Sequence, residues 1–368
     1  MNVSPETKRS RYMEWAKTCS TARFNLATSG LTSVLLSEFP LRLEELEITG
    51  GGYGYGPLLE QIAGHTGAPV ECIVTAEGTS MANHLALAAL LERGDEVVIE
   101  RPTYGLLLDV LHYLGARVKR VARAFENNFD LALSEMAEAI TPATRLVVLT
   151  NLHNPSGALI PVETLRAIGE MAQRVGARVL VDEVYLEMLF EAASPSAFSL
   201  GKNFVVTSSL TKAYGLSGLR CGWILAAPEL ARRMWLLNDL FAATAAHPAE
   251  RMSVLAFAQL ARFRARTQAL LAPNRALLDS FLDARADLAC FRPPAGTVVF
   301  PRLPHGEPEA FFQLLREQYE TSVVPGEFFE SPRHFRLGIG GETENLRAGL
   351  DRLGAALDEF ASRTGGAP

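Results

Sequence analysis

The amino-acid sequence predicts an α/β protein, with a large domain whose mainly parallel sheet is covered by helices on both faces and a smaller α+β domain. Three observations carry this. Short apolar runs recur through the first two thirds of the chain. Several are separated by helix-length segments rich in Ala and Leu, and strand–helix–strand repeated in this way builds a parallel sheet buried on both faces. After Trp223 the pattern changes to long helical stretches and then to short mixed pieces.

In chain order, Cys72–Thr75, Asp95–Ile99, Val118–Val121, Leu146–Thr150, Val179–Val181 and Phe204–Thr207 read as buried strands. Ser80–Leu91 and Pro161–Val175 are the clearest helices, from their Ala and Leu content. Residues 229–285 read as mostly helical. Beyond Cys290, Thr297–Phe300 and Phe335–Ile339 are strand-like, and Pro308–Tyr319 and Asn345–Phe360 are helical. The Ala- and Gly-rich end, Ala361–Pro368, is expected to fray.

Composition narrows the function classes. With 368 residues, 48% apolar and 21% charged, the chain is long and apolar enough to bury a sizeable core, which excludes disorder for most of it. Lys+Arg 35 against Asp+Glu 41 gives a net charge of −6, which argues against nucleic acid or an anionic membrane surface as partner. Lys8, Arg9, Arg11 and Lys17 are mixed with Glu6 and Glu14, and no apolar core follows, so no secretory signal is read there. Leu85–Leu91, the densest apolar stretch, is too short to span a bilayer. Cys19, Cys72, Cys221 and Cys290 are scattered, without metal-ligand spacing or a CxxC pair. No metal is expected, and free thiols in a reducing cytoplasm are.

The most informative stretch is Ser208–Trp223, which places Ser209, Lys212 and Arg220 in a glycine-punctuated link between two apolar runs. Ligands of parallel sheets sit at the carboxyl ends of strands. An amine desolvated there has a lowered pKa and can attack a carbonyl to form a Schiff base. Arg220 offers a forked donor suited to phosphate. Gly78-Thr79-Ser80 directly precedes a helix, where backbone N–H groups and the dipole favour an anion, although a plain N-cap explains the same residues. Asp182 ends the apolar run Val179–Val181, where a carboxylate is costly unless partnered.

The pattern Ser-x-x-Lys, then Arg eight residues on, then Gly-Trp, resembles the lysine segment of the class I/II aminotransferases. These are pyridoxal 5′-phosphate (PLP) enzymes of fold type I, the aspartate aminotransferase superfamily. Ala76–Asn83, Arg101–Gly105, Asn151–Gly157, Val181–Tyr185 and Phe335–Gly338 resemble other segments of that family, in the expected order. Each is weak alone; six in order over residues 25 to 340 are specific. The resemblance implies a large PLP-binding domain over 41–265, an N-terminal arm and part of the small domain over 1–40, and a small C-terminal domain over 266–368. The small domain is then built from the N- and C-terminal parts of the chain.

It also implies roles. Gly78, Thr79, Ser80, Ser209 and Arg220 cradle the phosphate, and Tyr104 stacks on the ring. Asp182 partners the ring nitrogen, Asn154 and Tyr185 bond the 3′-oxygen, and Lys212 carries the linkage and shuttles the proton. Arg336 grips the substrate carboxylate, with Asn154 beside it and Gly30, in a segment that closes over substrate, allowing close backbone approach. Tyr53 or Tyr55, with the spacing to Gly56 favouring Tyr53, touches the phosphate in a neighbouring subunit, which makes the active unit a homodimer. His153 reads as structural.

The family's dicarboxylate-specific members use an extra arginine that this chain lacks near Leu240–Ala246, so an apolar, aromatic or small substrate side chain is expected, with Phe241 and His247 as candidate lining. The implied activity moves an amino group from an L-amino acid to a 2-oxo acid. A lyase or cyclase using the same site is the alternative. A PLP-binding regulatory module is remote, since no DNA-binding segment of ordinary size is read before Asn25. A nicotinamide dehydrogenase fails for want of a GxGxxG turn.

Overall fold

The computed structural model describes residues 8–46, 51–192, 194–304 and 306–364. Helix α1 (Arg11–Thr18), strand β1 (Phe24–Asn25) and α2 (Gly56–Thr66) come first. Alternation then sets in: β2 (Ile73–Glu77), α3 (Gly78–Leu90), β3 (Glu96–Arg101), α4 (Gly105–Leu114), β4 (Arg117–Ala122), α5 (Leu133–Ala139), β5 (Thr144–Thr150), α6 (Val162–Arg174) and β6 (Arg178–Asp182). β7 (Phe204–Ser209) and β8 (Cys221–Leu225) complete this part. Three helices follow: α7 (Pro228–Asn238), α8 (His247–Phe257) and α9 (Leu260–Asp283). The tail holds β9 (Val298–Val299), α10 (Pro308–Glu317), β10 (Thr321–Ser322), β11 (Val324–Pro325), β12 (Phe335–Gly338) and α11 (Thr343–Thr364).

Each of the six apolar runs overlaps a strand of one seven-stranded sheet, ordered β2-β8-β7-β6-β5-β3-β4. From β7 to β4 the pairings are parallel. Val97, Val98, Val147, Val148, Leu180 and Val205 are fully buried, as expected of strands covered on both faces. The strand that sequence reading did not assign, β8, runs antiparallel to both neighbours, β2 and β7. Residues 210–220 are too few for a crossover helix, so the chain returns beside β7 instead of crossing the sheet.

The smaller unit joins both ends of the chain. Phe24 and Asn25 pair in parallel with Thr321 and Ser322. β11, β12 and β9 form a separate antiparallel sheet, and α10 and α11 pack on each other. α11 continues to Thr364, past the fraying expected from Ala361; residues 365–368 lie outside the described residues. Among the described residues no helix is long and apolar enough to cross a membrane.

Candidate active site

The carboxyl ends of the parallel strands converge on one cavity of about 320 Å³. β5 leads to Asn154, β6 ends at Asp182 with Tyr185 just beyond, and β7 ends at Ser209 with Lys212 three residues on. The β2–α3 turn supplies Thr79 and Ser80, and the β3–α4 turn supplies Tyr104. Thr79, Ser80, Tyr104, Asn154, Asp182, Tyr185, Lys212 and Arg220 all line this cavity. Gly78 and Ser209 do not line it: Gly78 precedes Thr79 in the chain, and Ser209 is joined to Thr79 by a hydrogen bond.

One end is built for an anion. α3 begins at Gly78, two residues earlier than expected, so Gly78, Thr79 and Ser80 form its first turn, whose N–H groups have no partners within the helix. Thr79 Oγ1 donates to Ser209 Oγ at 2.7 Å. Arg220, at φ +53°, donates to the carbonyls of Glu77 (3.0 Å) and Ser217 (3.2 Å). A Cβ on Gly78 would stand 2.3 Å from Arg220 Nη2, and one on Gly222 would stand 2.5 Å from the Gly78 carbonyl carbon. Both glycines are therefore needed for the guanidinium to lie against the helix start.

The opposite wall holds a buried carboxylate and a buried amine. Asp182 accepts from Asn83 Nδ2 at 2.7 Å and from the Val184 amide at 3.0 Å, while Thr207 Oγ1 donates to Asn83 Oδ1 at 2.6 Å. Burial pushes the Asp182 carboxyl up to about 6, against the pull of those two hydrogen bonds. Lys212 Nζ donates to Ser29 Oγ at 2.9 Å and lies 5.8 Å from the centre of the Tyr185 ring. Burial pushes this amine down to about 8. The Tyr185 hydroxyl is buried near Ser29 and Thr297 but makes no hydrogen bond of normal geometry among the described residues, and burial raises its pKa.

Arg336, on β12, is buried. Its Nη1 donates to Asn154 Oδ1 at 3.0 Å and its Nη2 to the Tyr12 hydroxyl at 2.8 Å, while Nε has no acceptor among the described residues. Behind Asn154 runs a chain of buried bonds. The Asn154 amide donates to Thr150 Oγ1 (3.0 Å), Thr150 Oγ1 donates to Glu100 Oε1 (2.6 Å), and Arg123 Nη1 donates to Glu100 Oε2 (2.8 Å).

Sequence reasoning missed Tyr12, Ser29 and Asn83. Asn83 follows Thr79 by one helical turn and shares its face, a usable signal. Ser10 caps α1 by accepting from the Met13 amide at 3.3 Å, but the charged residues around it mask the helix. Other expected residues lie elsewhere. Ser29, not Gly30, reaches Lys212; the Gly30 carbonyl abuts Gly340, where a Cβ would stand 2.1 Å away. Tyr53 is half-exposed, donates to Asp239 Oδ2 at 3.0 Å, and does not line the cavity of its own chain. Nor do Phe241, whose ring meets His84, and His247, whose ring meets Tyr55. His153 is fully buried between Ser156 Oγ and the Pro102 carbonyl. Among the described residues no group of three or more His, Cys, Asp or Glu is placed to hold a metal.

The chain matches the family model of class I and II aminotransferases over residues 43–353 and belongs to that family. An arginine–pyruvate transaminase of Pseudomonas aeruginosa is 30% identical over 300 residues, 79% of this chain and 76% of that one. The crystal structure of a PLP-dependent aminotransferase from Streptococcus suis matches with a TM-score of 0.89 at 27% identity, covering 98% of this chain and 99% of the other. The PLP-dependent cyclase OrfR matches with a TM-score of 0.86 at 26% identity, covering 96% and 98%. The chain is a PLP-dependent enzyme that moves amino groups between amino acids and 2-oxo acids.

Proposed function

We propose that the cavity binds PLP with its phosphate on the first turn of α3, Ser209 and Arg220, its ring against Tyr104, its nitrogen at Asp182, its 3′-oxygen at Asn154 and Tyr185, and its aldehyde at Lys212. Three features of the chain support this. Among the described residues, the Gly78 cradle closes if a Cβ is added, the Tyr185 hydroxyl makes no hydrogen bond of normal geometry, and the Asp182 carboxylate forms no salt bridge. Bound there, the cofactor supplies an aldehyde for the amino nitrogen and a ring that withdraws electrons.

The carrying observation is that a lysine and a carboxyl on one cavity have pKa values drawn toward neutrality from opposite sides, about 8 and about 6. At pH 7 roughly a tenth of Lys212 is then unprotonated, about 300-fold more than at the ordinary lysine pKa. The free amine can take the proton from the substrate Cα and deliver it to the cofactor's former aldehyde carbon, on the other side of the amino nitrogen. Asp182, ionised at pH 7, holds a positive charge opposite itself. Arg336 binds the substrate carboxylate.

The rings of Tyr12 and Tyr104 and the side chains of Met13 and Ala16 line the cavity, and its lining cations are Lys212 and Arg220, which are taken up by the cofactor. We read the substrate side chain as apolar, aromatic or small. We place Tyr53 at the phosphate end of a second copy in a homodimer, a reading that the exposed apolar Leu35, Leu36, Leu240 and Phe241 suit. The domain division 1–40, 41–265 and 266–368 is ours as well, as is a cytoplasmic location, which the four free cysteines suit. The likeness to the cyclase OrfR favours one second reading, cyclisation at the same site.

Two measurements test this. Each of the twenty standard L-amino acids is mixed singly with holoenzyme; apolar ones should convert the yellow cofactor to its pyridoxamine form with an equivalent of 2-oxo acid. A cyclised product, or ammonia without the pyridoxamine form, would overturn transamination. Cofactor capture by the cofactor-free protein should accelerate as pH rises through about 8, with borohydride trapping the cofactor on Lys212; an adduct elsewhere overturns the assignment.

A further inference from the structure

Arg336 is 1% exposed and does not itself line the cavity. Tyr12 and Asn154 stand in front of it, each accepting one of its hydrogen bonds, and both do line the cavity. An anion entering the cavity therefore meets the Tyr12 hydroxyl before it meets the guanidinium. Among the described residues that hydroxyl accepts from Arg336 and gives its own proton to no acceptor. Tyr12 is itself 8% exposed, so the unused donor is held out of bulk water. A hydroxyl that accepts from a cation becomes a stronger donor, because each bond in a chain polarises the next.

The placement of Tyr12 is well defined. Its ring meets Tyr104 edge-on at 5.6 Å and lies 5.8 Å from Phe329, and the Arg336 guanidinium carbon is 5.5 Å from its centre. It is the one buried residue among those of α1, so the helix is fastened to the body at this point. α1 also lies outside the segment, 43–353, that matches the family.

We propose that Tyr12 is a direct ligand of the substrate α-carboxylate, donating its hydroxyl proton to a carboxylate oxygen while Arg336 supports it from behind. This rests on reading Arg336 as the carboxylate anchor. The proton donated is shared, not transferred, so the step needs no other reactant. The N-terminal helix thereby becomes part of substrate recognition, and selects for acids over the corresponding amines.

The test is Tyr12→Phe, which keeps the ring and removes one oxygen, compared with Arg336→Ala and the wild type as holoenzymes. L-Alanine, L-valine and L-phenylalanine are titrated by cofactor absorbance and by steady-state kinetics. Ethylamine, isobutylamine and phenethylamine, the same molecules without the carboxylate, are titrated in parallel. Thermal midpoint and bound cofactor are measured for each variant. Tyr12→Phe should raise KM and the dissociation constant of whichever amino acids bind the wild type by on the order of 10- to 100-fold. It should leave kcat within about threefold and the amine affinities unchanged, since a hydrogen bond made equally in ground and transition states moves KM alone.

Unchanged amino-acid affinity in Tyr12→Phe together with weakened affinity in Arg336→Ala overturns the assignment of Tyr12 alone. Unchanged affinity in both variants overturns the carboxylate anchor as well. Amines weakened as much as amino acids would make Tyr12 a packing residue, and tighter amino-acid binding would make it a cover over Arg336; either result also overturns the proposal.

Discussion

Asn83→Ala probes how Asp182 stays ionised in a buried wall. Asp182 has a folded pKa of about 6 against an ordinary value of 3.8. The folded state therefore holds its proton more tightly than the unfolded chain. This group costs nothing below pH 3.8, costs more as pH rises toward 6, and above that costs a constant amount of about 3 kcal/mol. Asn83 limits that cost by donating to the carboxylate at 2.7 Å, and its own carbonyl is held in place by Thr207 at 2.6 Å. A hydrogen bond to a charged group is worth about 1.5–3 kcal/mol, so its loss moves the Asp182 pKa up by about one to two units.

The expected loss of stability thus depends on pH. At pH 5 the wild-type carboxyl is already mostly protonated, and Asn83→Ala removes only neutral hydrogen bonds and some packing, about 1–2 kcal/mol. At pH 8.5 the charged term adds about 1.5–3 kcal/mol. Urea unfolding of cofactor-free protein, followed by the fluorescence of buried Trp223, measures both. In an Asp182→Asn background the extra loss at high pH should vanish. An equal loss at pH 5 and pH 8.5 would refute the coupling of Asn83 to the charge on Asp182.

Two further substitutions probe other parts of the site. Gly78→Ala places a methyl 2.3 Å from Arg220 Nη2 at a φ of +77°, so cofactor affinity measured by equilibrium dialysis should fall by at least about tenfold, with a stability loss of about 1–3 kcal/mol; unchanged affinity would remove Arg220 from the phosphate end. Thr150→Val cuts the link between Glu100 and Asn154, and should raise the amino-acid KM several-fold while Thr150→Ser, which keeps the hydroxyl, restores it; equal behaviour of the two variants would show that the chain of bonds does not position Asn154.

Much of the fold is legible in the sequence because parallel strands covered on both faces must be apolar along their whole length. Val97–Ile99, Leu146–Leu149 and Val179–Val181 stand out for that reason. β8 does not: it begins Cys221-Gly222, and Gly222 is there because a Cβ would strike the start of α3. A contact between a strand and the start of a helix distant in sequence thus erases the local strand signal. α1 is hidden for another reason. Its apolar face is short, with Tyr12 buried and Met13, Trp15 and Ala16 packed beside it, and the charged residues interleaved with it make the segment read as a charged run. In the site, residues at strand ends and in glycine turns are legible because a backbone feature marks them. Asn83 lies inside a helix, marked only by sharing a face with Thr79, and Ser29 lies in a segment without regular structure, revealed only by its partner Lys212.

The bonds around Arg336 tie the two units of the chain together at the place where substrate arrives. Arg336 comes from β12, in the sheet of the smaller unit, and Asn154 from the loop after β5, in the seven-stranded sheet. Behind Asn154 the chain of bonds ends in the Glu100–Arg123 ion pair, both of whose side chains are fully buried. Breaking such a pair strands a charge in low dielectric, which makes this anchor stiff. Tyr12, by contrast, sits on a short helix that is otherwise mostly exposed. Arg336 is therefore held on one side by that buried chain and on the other by a hydroxyl whose ring packs against Tyr104 and Phe329. A carboxylate bound there is positioned over Lys212 from both units at once, through Asn154 from the loop after β5 and Tyr12 from α1.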